Sequence, residues 1–382
     1  MDKQFWMGKR VYLTGHTGFK GGWLAIWLSS LGATVKGYSL PAPTEPSLFA
    51  CAQIDKVIES EIGDIRDASA LSQSMQAFEP DIVFHLAAQP LVRLSYDVPV
   101  ETFSTNVMGT VNLLEAVRHL PSVKAVVVVT SDKCYENKEW QWGYREDEPM
   151  GGYDPYSASK ACAELVTNSY RQSFFGTANN QSQCSIATAR AGNVIGGGDW
   201  AADRLVPDVL RHLQNNQSVV VRNPVAIRPW QHVLEPLAGY MKLAKLLVEQ
   251  GEIFAQAWNF GPPETGAKTV QWMTEELIGQ WGSGRWELEN GYKPHEATYL
   301  KLDCSKARGM LNWLPVWNPS EAISVTVKWH KAWTNQMDMH SQCLADISRY
   351  SQNFERLAEV NLPNVGNVAS TPSVESESSA LS

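Results

Sequence analysis

The sequence lacks any apolar run near the ~20 residues needed to span a bilayer. Its first residues, Met1-Asp2-Lys3-Gln4-Phe5-Trp6, lead almost at once into a strand-like run, which leaves no secretory leader. Both features point to a cytoplasmic protein without membrane contact. Basic residues are in deficit, 32 Lys and Arg against 40 Asp and Glu, a net charge of -8. That balance argues against nucleic acid as the main partner. The six cysteines (51, 134, 162, 184, 304, 343) are scattered and form no Cys-x-x-Cys. They read as reduced thiols rather than a disulfide frame or a zinc site, with Cys134 a small core filler. No metal site and no internal repeat is legible. What is present, 382 residues with 44% hydrophobic content, suffices for a full core in one large or two moderate domains.

Strand-like runs alternate with amphipathic ones through the first half. Strands are predicted over Arg10 to Thr14, Thr34 to Tyr38, Lys56 to Ile62, Asp81 to Leu86, Val123 to Thr130 and Ser185 to Arg190. Helices are predicted over Lys20 to Leu31, Ala68 to Phe78, Asn106 to His119 and Tyr156 to Phe175. This βαβ rhythm implies an α/β fold, a Rossmann-type doubly wound parallel sheet with ligands beyond the carboxyl ends of its strands. After Asn193 the rhythm breaks. A helix over Val206 to Gln214 and a strand near Ser218 to Arg222 follow, and a helix over Leu234 to Gln250 returns to the sheet. We read residues 1–192, with about 230–258, as a dinucleotide-binding domain. Residues 193–229 and 259–350 read as a smaller, discontinuous C-terminal substrate-binding domain, and 364–382, rich in Ser and Glu, as a disordered tail.

Gly15-His16-Thr17-Gly18-Phe19-Lys20-Gly21 lies between the first strand and its helix. Glycines there permit a tight turn, and the helix N-terminus offers N–H groups to a pyrophosphate. Gly15, His16, Thr17, Gly18, Phe19 and Gly21 are the candidate cofactor contacts. No carboxylate or arginine follows the second strand, where Tyr38-Ser39-Leu40-Pro41 stands, so the ribose position leaves NAD and NADP open. Asp64-Ile65 after the third strand could hold the adenine, and Leu86-Ala87-Ala88 lets backbone approach the cofactor. His85 reads as a packing residue. Tyr156 and Lys160, four apart on one helix face, could form a base if the ammonium lowers the phenol pKa.

Thr14-Gly15-x-x-Gly18-Phe19-x-Gly21, His85-Leu86-Ala87-Ala88, Asn106-x-x-Gly109-Thr110, Tyr156-x-x-x-Lys160 and Arg190-x-Gly192-Asn193-Val194 occur in order. Together they resemble the extended short-chain dehydrogenase/reductases of the sugar-nucleotide type over roughly residues 8 to 335. A narrower set resembles the CDP-glucose branch of the 4,6-dehydratases. It comprises Thr130-Ser131-Asp132-Lys133-Cys134-Tyr135, Arg190 to Trp200, Arg228-Pro229-Trp230-Gln231-His232-Val233, Pro294-His295-Glu296 and Leu302-Asp303-Cys304-Ser305-Lys306-Ala307. Lys133 stands where other branches carry Glu.

The resemblance implies NAD as cofactor, CDP-glucose as substrate, a homodimer or homotetramer, and a place in deoxysugar and lipopolysaccharide biosynthesis. It casts Tyr156 and Lys160 as the base at the C4 hydroxyl and Ser131 as the donor to the C4 oxygen. Asp132 would be the acid at the C6 hydroxyl. Lys133 would be a base at C5 or a cation stabilising an enolate. Arg190, Asn193, Arg204 and Arg228 fall at the substrate end. A 4-epimerase would need Tyr156 and Lys160 but no acid beside C6. A cofactor-binding sensor usually loses the Tyr, the Lys or the Ser, and all three are here.

Overall fold

A computed structural model describes residues 1–175, 183–263, 266–289 and 300–361. The motif Pro294-His295-Glu296 and the tail 364–382 lie outside the described residues. Seven parallel strands form the main sheet. They are β1 (Arg10–Thr14), β2 (Thr34–Ser39), β3 (Glu59–Ile62), β4 (Ile82–His85), β5 (Ala125–Val129), β6 (Ser185–Ala191) and, after four short strands, β11 (Ala257–Phe260). Their spatial order is β11-β6-β5-β4-β1-β2-β3. The chain direction of assembly reverses between β1 and β4, and a crevice opens at such a switch point beyond the strand ends.

Side chains alternate across this sheet. Val11 and Leu13 of β1 and Val127 of β5 join one core with Trp23, Trp27 and Leu237. Tyr12, Val126 and Val128 join the other, with Leu71, Leu113 and Ile186. All of β5 is buried, as its unbroken Ala-Val-Val-Val-Val requires for a strand covered on both faces. The helices Phe19–Ser30 and Leu234–Gln250 cover the first face, and Ala68–Phe78, Gly109–Arg118 and Pro155–Phe174 flank the second.

The second half supplies short pairs. These are β7 (Val194–Ile195) with β10 (Gln231–His232), β9 (Ile227–Pro229) with β12 (Ala267–Thr269), and β8 (Val219–Val221) with β13 (Trp286–Leu288). With helices Leu205–Gln214, Val270–Trp281 and Pro319–Thr334 they enclose a third core around Val209, Leu277 and Ile323.

Three local expectations change. The predicted strand from Lys56 begins only at Glu59, because Ile54–Lys56 forms a 3-10 turn. The predicted helix from Asn106 is preceded by Val92–Asp97 and Pro99–Phe103 and enters through a π-helical turn, Ser104–Met108. The long helix Met339–Asn361 was not anticipated. Sequence grouping puts its first half with the second lobe, yet Tyr350 packs edge-on to Trp27 at 5.6 Å, under the main sheet.

Candidate active site

The carboxyl ends of β1, β4, β5 and β6 deliver Gly15, Leu86, Ser131 and Gly192 to one crevice. Gly15 has φ +81°, and a Cβ there would meet Ala87 N at 2.7 Å. A Cβ on Gly21 would lie 2.1 Å from Gly15 O, so the turn admits no side chain at either position. Gly18 caps the helix Phe19–Ser30 without a side-chain hydrogen bond, which leaves the helix's first N–H groups open to an anion. This cradle fits a dinucleotide pyrophosphate.

Thr17 acts through its side chain, which reaches Ser39 Oγ at 2.8 Å and donates to Leu40 O at 2.9 Å, fixing the loop after β2. His16 lies buried with Nε2 2.7 Å from Ser60 Oγ, and burial pushes its pKa down to about 4. Its ring fills the space a Cβ on Gly37 would need. Thr14 Oγ1 accepts from Leu86 N and Ala87 N, each at 3.2 Å, and meets His85 Nδ1 at 2.8 Å. His85 is therefore a packing residue, held neutral by burial.

After β3, Asp64 is gripped by Arg66, whose Nη2 is 2.6 Å away, and this bond holds the carboxyl below its ordinary value. Arg66 also lies 3.6 Å from Glu101. Ile65 is buried, with its carbonyl accepting from Asn112 Nδ2 at 3.0 Å. Lys36 is paired with Glu59 at 2.7 Å and Glu61 at 2.9 Å.

The chemistry-bearing turn follows β5. Beyond Thr130 the chain curls into the 3-10 turn Asp132–Cys134, capped by Ser131 Oγ accepting from Lys133 N at 3.2 Å. Ser131 Oγ donates to Asp132 Oδ1 at 3.0 Å and lies beside the Tyr156 phenol. Asp132 is 2% exposed, and its Oδ2 finds no partner among the described residues. A Cβ on Gly192 would stand 2.8 Å from that oxygen, so the glycine keeps room in front of the acid.

The helix Pro155–Phe174 starts at Asp154, whose Oδ1 accepts from Ser157 N at 2.9 Å. Tyr156, Lys160 and Glu164 then recur every four residues on one face. The expected lowering of the phenol by Lys160 is not what the structure gives. Burial pushes Tyr156 up to about 12, against the Ser131 hydrogen bond, while Asp132 raises it further and Arg204 lowers it. The Lys160 ammonium instead donates to Val129 O at 3.3 Å, and burial takes it down to about 8.

Of the four substrate-end candidates, Arg204 is the one whose charge is felt at Tyr156. It pairs with Asp199 at 2.8 Å and acts on Tyr156 electrostatically. Arg190 does not, a correction to the sequence reading. It is 3% exposed, its Nη2 bonds Glu164 Oε2 at 2.8 Å, and its Nη1 donates to Tyr135 OH at 2.7 Å. Asn193 is half-buried, its carbonyl accepting from Gln231 N at 3.1 Å. Arg228 is half-buried and donates to Ile227 O at 3.0 Å. Lys133 is half-buried beside the acid.

Lys20 escaped the sequence reading. Its ammonium lies in the field of Arg204, Lys160, Asp132 and Asp199, and burial first, then Arg204 and Lys160, lower it to about 8. The available signal was its place as the one charged side chain in the helix Phe19–Ser30. Asn106, part of the family motifs but given no role there, is placed by the structure. It sits in the π-helical turn, accepts from Gln89 N at 2.8 Å and donates to Ser159 Oγ at 2.8 Å, which ties the β4 loop to the Tyr156 helix.

Comparison with known proteins agrees with this arrangement. The family described as GDP-mannose 4,6 dehydratase matches residues 13–326. The chain is 58% identical over 352 residues to the CDP-glucose 4,6-dehydratase of Salmonella typhimurium (strain LT2), covering 92% of this chain and 98% of that one. It is 29% identical to the dTDP-glucose 4,6-dehydratase of Streptomyces antibioticus, over 84% of this chain and 92% of that one. A dTDP-glucose 4,6-dehydratase structure from Streptomyces venezuelae superposes with TM-score 0.73 at 22% identity, covering 87% of this chain and 99% of that one. Among the described residues there is no helix long and apolar enough to cross a membrane and no cluster of three or more His, Cys, Asp or Glu fit for a metal ion.

Proposed function

The chain belongs to the GDP-mannose 4,6-dehydratase family of extended short-chain dehydrogenase/reductases, and on that premise we propose that it converts CDP-glucose to CDP-4-dehydro-6-deoxyglucose and water. The near-full-length identity to a CDP-glucose 4,6-dehydratase supports the substrate. One observation carries the reaction type. Asp132 Oδ2 is buried, unpartnered among the described residues, and set beside Ser131 and Tyr156. Epimerisation at C4 needs no such acid, whereas loss of the C6 hydroxyl does.

The cradle of Gly15, Gly18 and Gly21 would hold NAD, whose nicotinamide would supply the hydride acceptor and donor of the cycle. The chain's residues manage the protons. Tyr156 takes the C4 hydroxyl proton, its anion favoured by the Arg204 charge. Ser131 donates to the C4 oxygen as it becomes a ketone. The ketone acidifies C5–H, whose proton is taken by a base and later replaced at C5 by one from solvent, and Asp132 gives the C6 oxygen the proton with which it leaves as water. Lys133 stands at this end, as the base or as a cation facing the enolate. NAD rather than NADP fits the paired state of Arg66 and Lys36, each already neutralised by carboxylates. Arg204, Arg228 and Asn193 of the second lobe suit the sugar diphosphate. The exposed apolar side chains Val100, Phe103, Met108 and Leu165 suit pairing of two copies through the stretch Pro99–Phe103 to Met108 and the helix Pro155–Phe174. We place the enzyme in the cytoplasm, with residues up to 192 and about 230–258 serving the dinucleotide and the remainder to 350 the nucleotide sugar.

The test uses Asp132→Asn with CDP-glucose and NAD in deuterated buffer, followed by NMR. Wild type should yield a C6 methyl signal with deuterium at C5. Asp132→Asn should lose methyl formation by about 10²–10⁴-fold. A product inverted at C4 with its C6 hydroxyl retained, or full methyl formation by Asp132→Asn, would sink the reading.

A further inference from the structure

We infer that Thr130 and Glu164 are positioning residues for the elimination step, aiming the Ser131–Asp132 turn from behind; this rests on the dehydratase reading above. Thr130 is the last residue tied to the sheet ladder, its N–H donating to Ala189 O at 2.9 Å. Its hydroxyl makes a short hydrogen bond to Glu164 Oε1. Beyond it the chain leaves the sheet for the 3-10 turn that carries the acid. Asp132 has its own side-chain tie only through Ser131, and Oδ2 has no partner among the described residues to steer it. The direction of that oxygen must therefore come from the backbone entering the turn, and the Thr130 side chain is the nearest anchor of that backbone.

Glu164 is a firm anchor. It is 4% exposed and is held by Arg190 Nη2 at 2.8 Å and Thr188 Oγ1 at 2.7 Å, both on β6. Arg190 is itself held by Tyr135 OH at 2.7 Å and by Glu146 O at 3.0 Å. Glu164 shares a helix face with Tyr156 and Lys160. The same helix thus presents the C4 base and clamps the turn that presents the C6 acid. The chain passes from Arg190 through Ala191, the last residue of β6, to Gly192, whose bare Cα faces Asp132 Oδ2. One buried carboxylate therefore locates the base, the acid and the space between them, a spacing on which catalysis depends steeply.

Thr188 provides the control, because it donates to the same carboxylate from the same burial but has no chain connection to Asp132. Thr130→Val, Thr130→Ser and Thr188→Val would be mixed with NAD and CDP-glucose while the near-ultraviolet absorbance of reduced nicotinamide and the C6 methyl product are followed together. Thr130→Val should make methyl product about 10–100-fold more slowly, and reduced nicotinamide should build up because oxidation at C4 outruns elimination. Thr130→Ser should restore both readouts. Thr188→Val should lose a similar amount of thermal stability without build-up. Equal behaviour of the two valine variants, or slow turnover without build-up in Thr130→Val, would overturn the inference. If Thr130→Val does not fold, Thr130→Ala measured per folded enzyme takes its place with the same outcomes. A wild type that makes no methyl product overturns the dehydratase reading and this inference together. A wild type that does, beside a Thr130 variant that partitions like it, overturns the inference alone.

Discussion

Glu164 and Glu235 are both buried glutamates on helices against the main sheet, at 4% and 0% exposure, yet they are held in opposite ways. Glu164 faces a cation. Burial would raise its pKa, but the Arg190 charge and the hydrogen bonds from Arg190, Thr130 and Thr188 outweigh that and hold it below the ordinary value. Among the described residues Glu235 has only neutral donors, Val316 N at 3.0 Å, Trp317 N at 2.7 Å and Tyr350 OH at 2.7 Å. Burial wins there, and its pKa rises to about 7. The lesson is that neutral hydrogen bonds satisfy a buried carboxyl without keeping it charged, whereas a paired arginine does both. The charged one stands behind the Ser131–Asp132 turn. The other stitches the helix Leu234–Gln250 to the segment around Trp317 and to the C-terminal helix.

The largest break in this contrast comes from Arg190→Met. It leaves Glu164 buried and charged without its cation, which costs about 3–5 kcal/mol in comparable pairs. Chemical denaturation should show a loss of that size near neutral pH. A smaller loss at low pH is expected, where Glu164 can be protonated. A loss below about 1 kcal/mol, the range of exposed pairs, would show that the pair is not buried in solution as it is here.

The second break concerns pH. Glu235 has a folded pKa raised above its unfolded value of 4.5. The native state therefore binds more protons between that value and about 7, so this group's stabilising contribution is full below the lower limit and is lost as pH rises through the upper one. Glu235→Gln keeps the acceptor oxygen and removes the titration. Its stability relative to wild type should improve across that window, by at most about 3 kcal/mol. A pH-independent difference between the two proteins would place Glu235 on the Glu164 side of the comparison.

What the sequence made legible follows the same division. The glycine cradle, β5 and the Tyr156–Lys160 pair are local patterns, set by a turn, an unbroken β-branched run and helical spacing, and each is found where the spacing put it. Arg190 could not be read correctly, because its fate depends on Glu164, which stands 26 residues earlier and meets it only after helix and strand pack. Lys160 was assigned to the phenol on spacing alone, but burial and the Val129 carbonyl decide where its ammonium goes. The helix Met339–Asn361 was overlooked although Met339, Cys343, Ile347 and Tyr350 form an apolar stripe at helical intervals. Its partners Trp27 and Trp317 lie far off in sequence. Lys20 sits inside the glycine motif, and only packing brings its ammonium into the field of Arg204, Lys160 and Asp132.

The smallest effect sharpens the comparison most. Tyr350→Phe removes one neutral donor from Glu235 and leaves the backbone donors Val316 and Trp317 in place. A buried hydrogen bond of this kind is worth about 1–2 kcal/mol, and more when the acceptor is charged. The loss in Tyr350→Phe should therefore grow as pH rises through about 7, where Glu235 ionises and most needs the hydroxyl. The removed bond lowers the Glu235 pKa, so the variant's own titration should move upward. Stability measured by denaturant at several pH values, beside the same series for Thr188→Val at Glu164, separates the two cases. Thr188→Val should cost a similar amount but show no such rise near neutrality, because Arg190 keeps Glu164 charged throughout. A flat profile for Tyr350→Phe would mean that the neutral donors suffice to hold Glu235 ionised, and the distinction between the two carboxylates would fall.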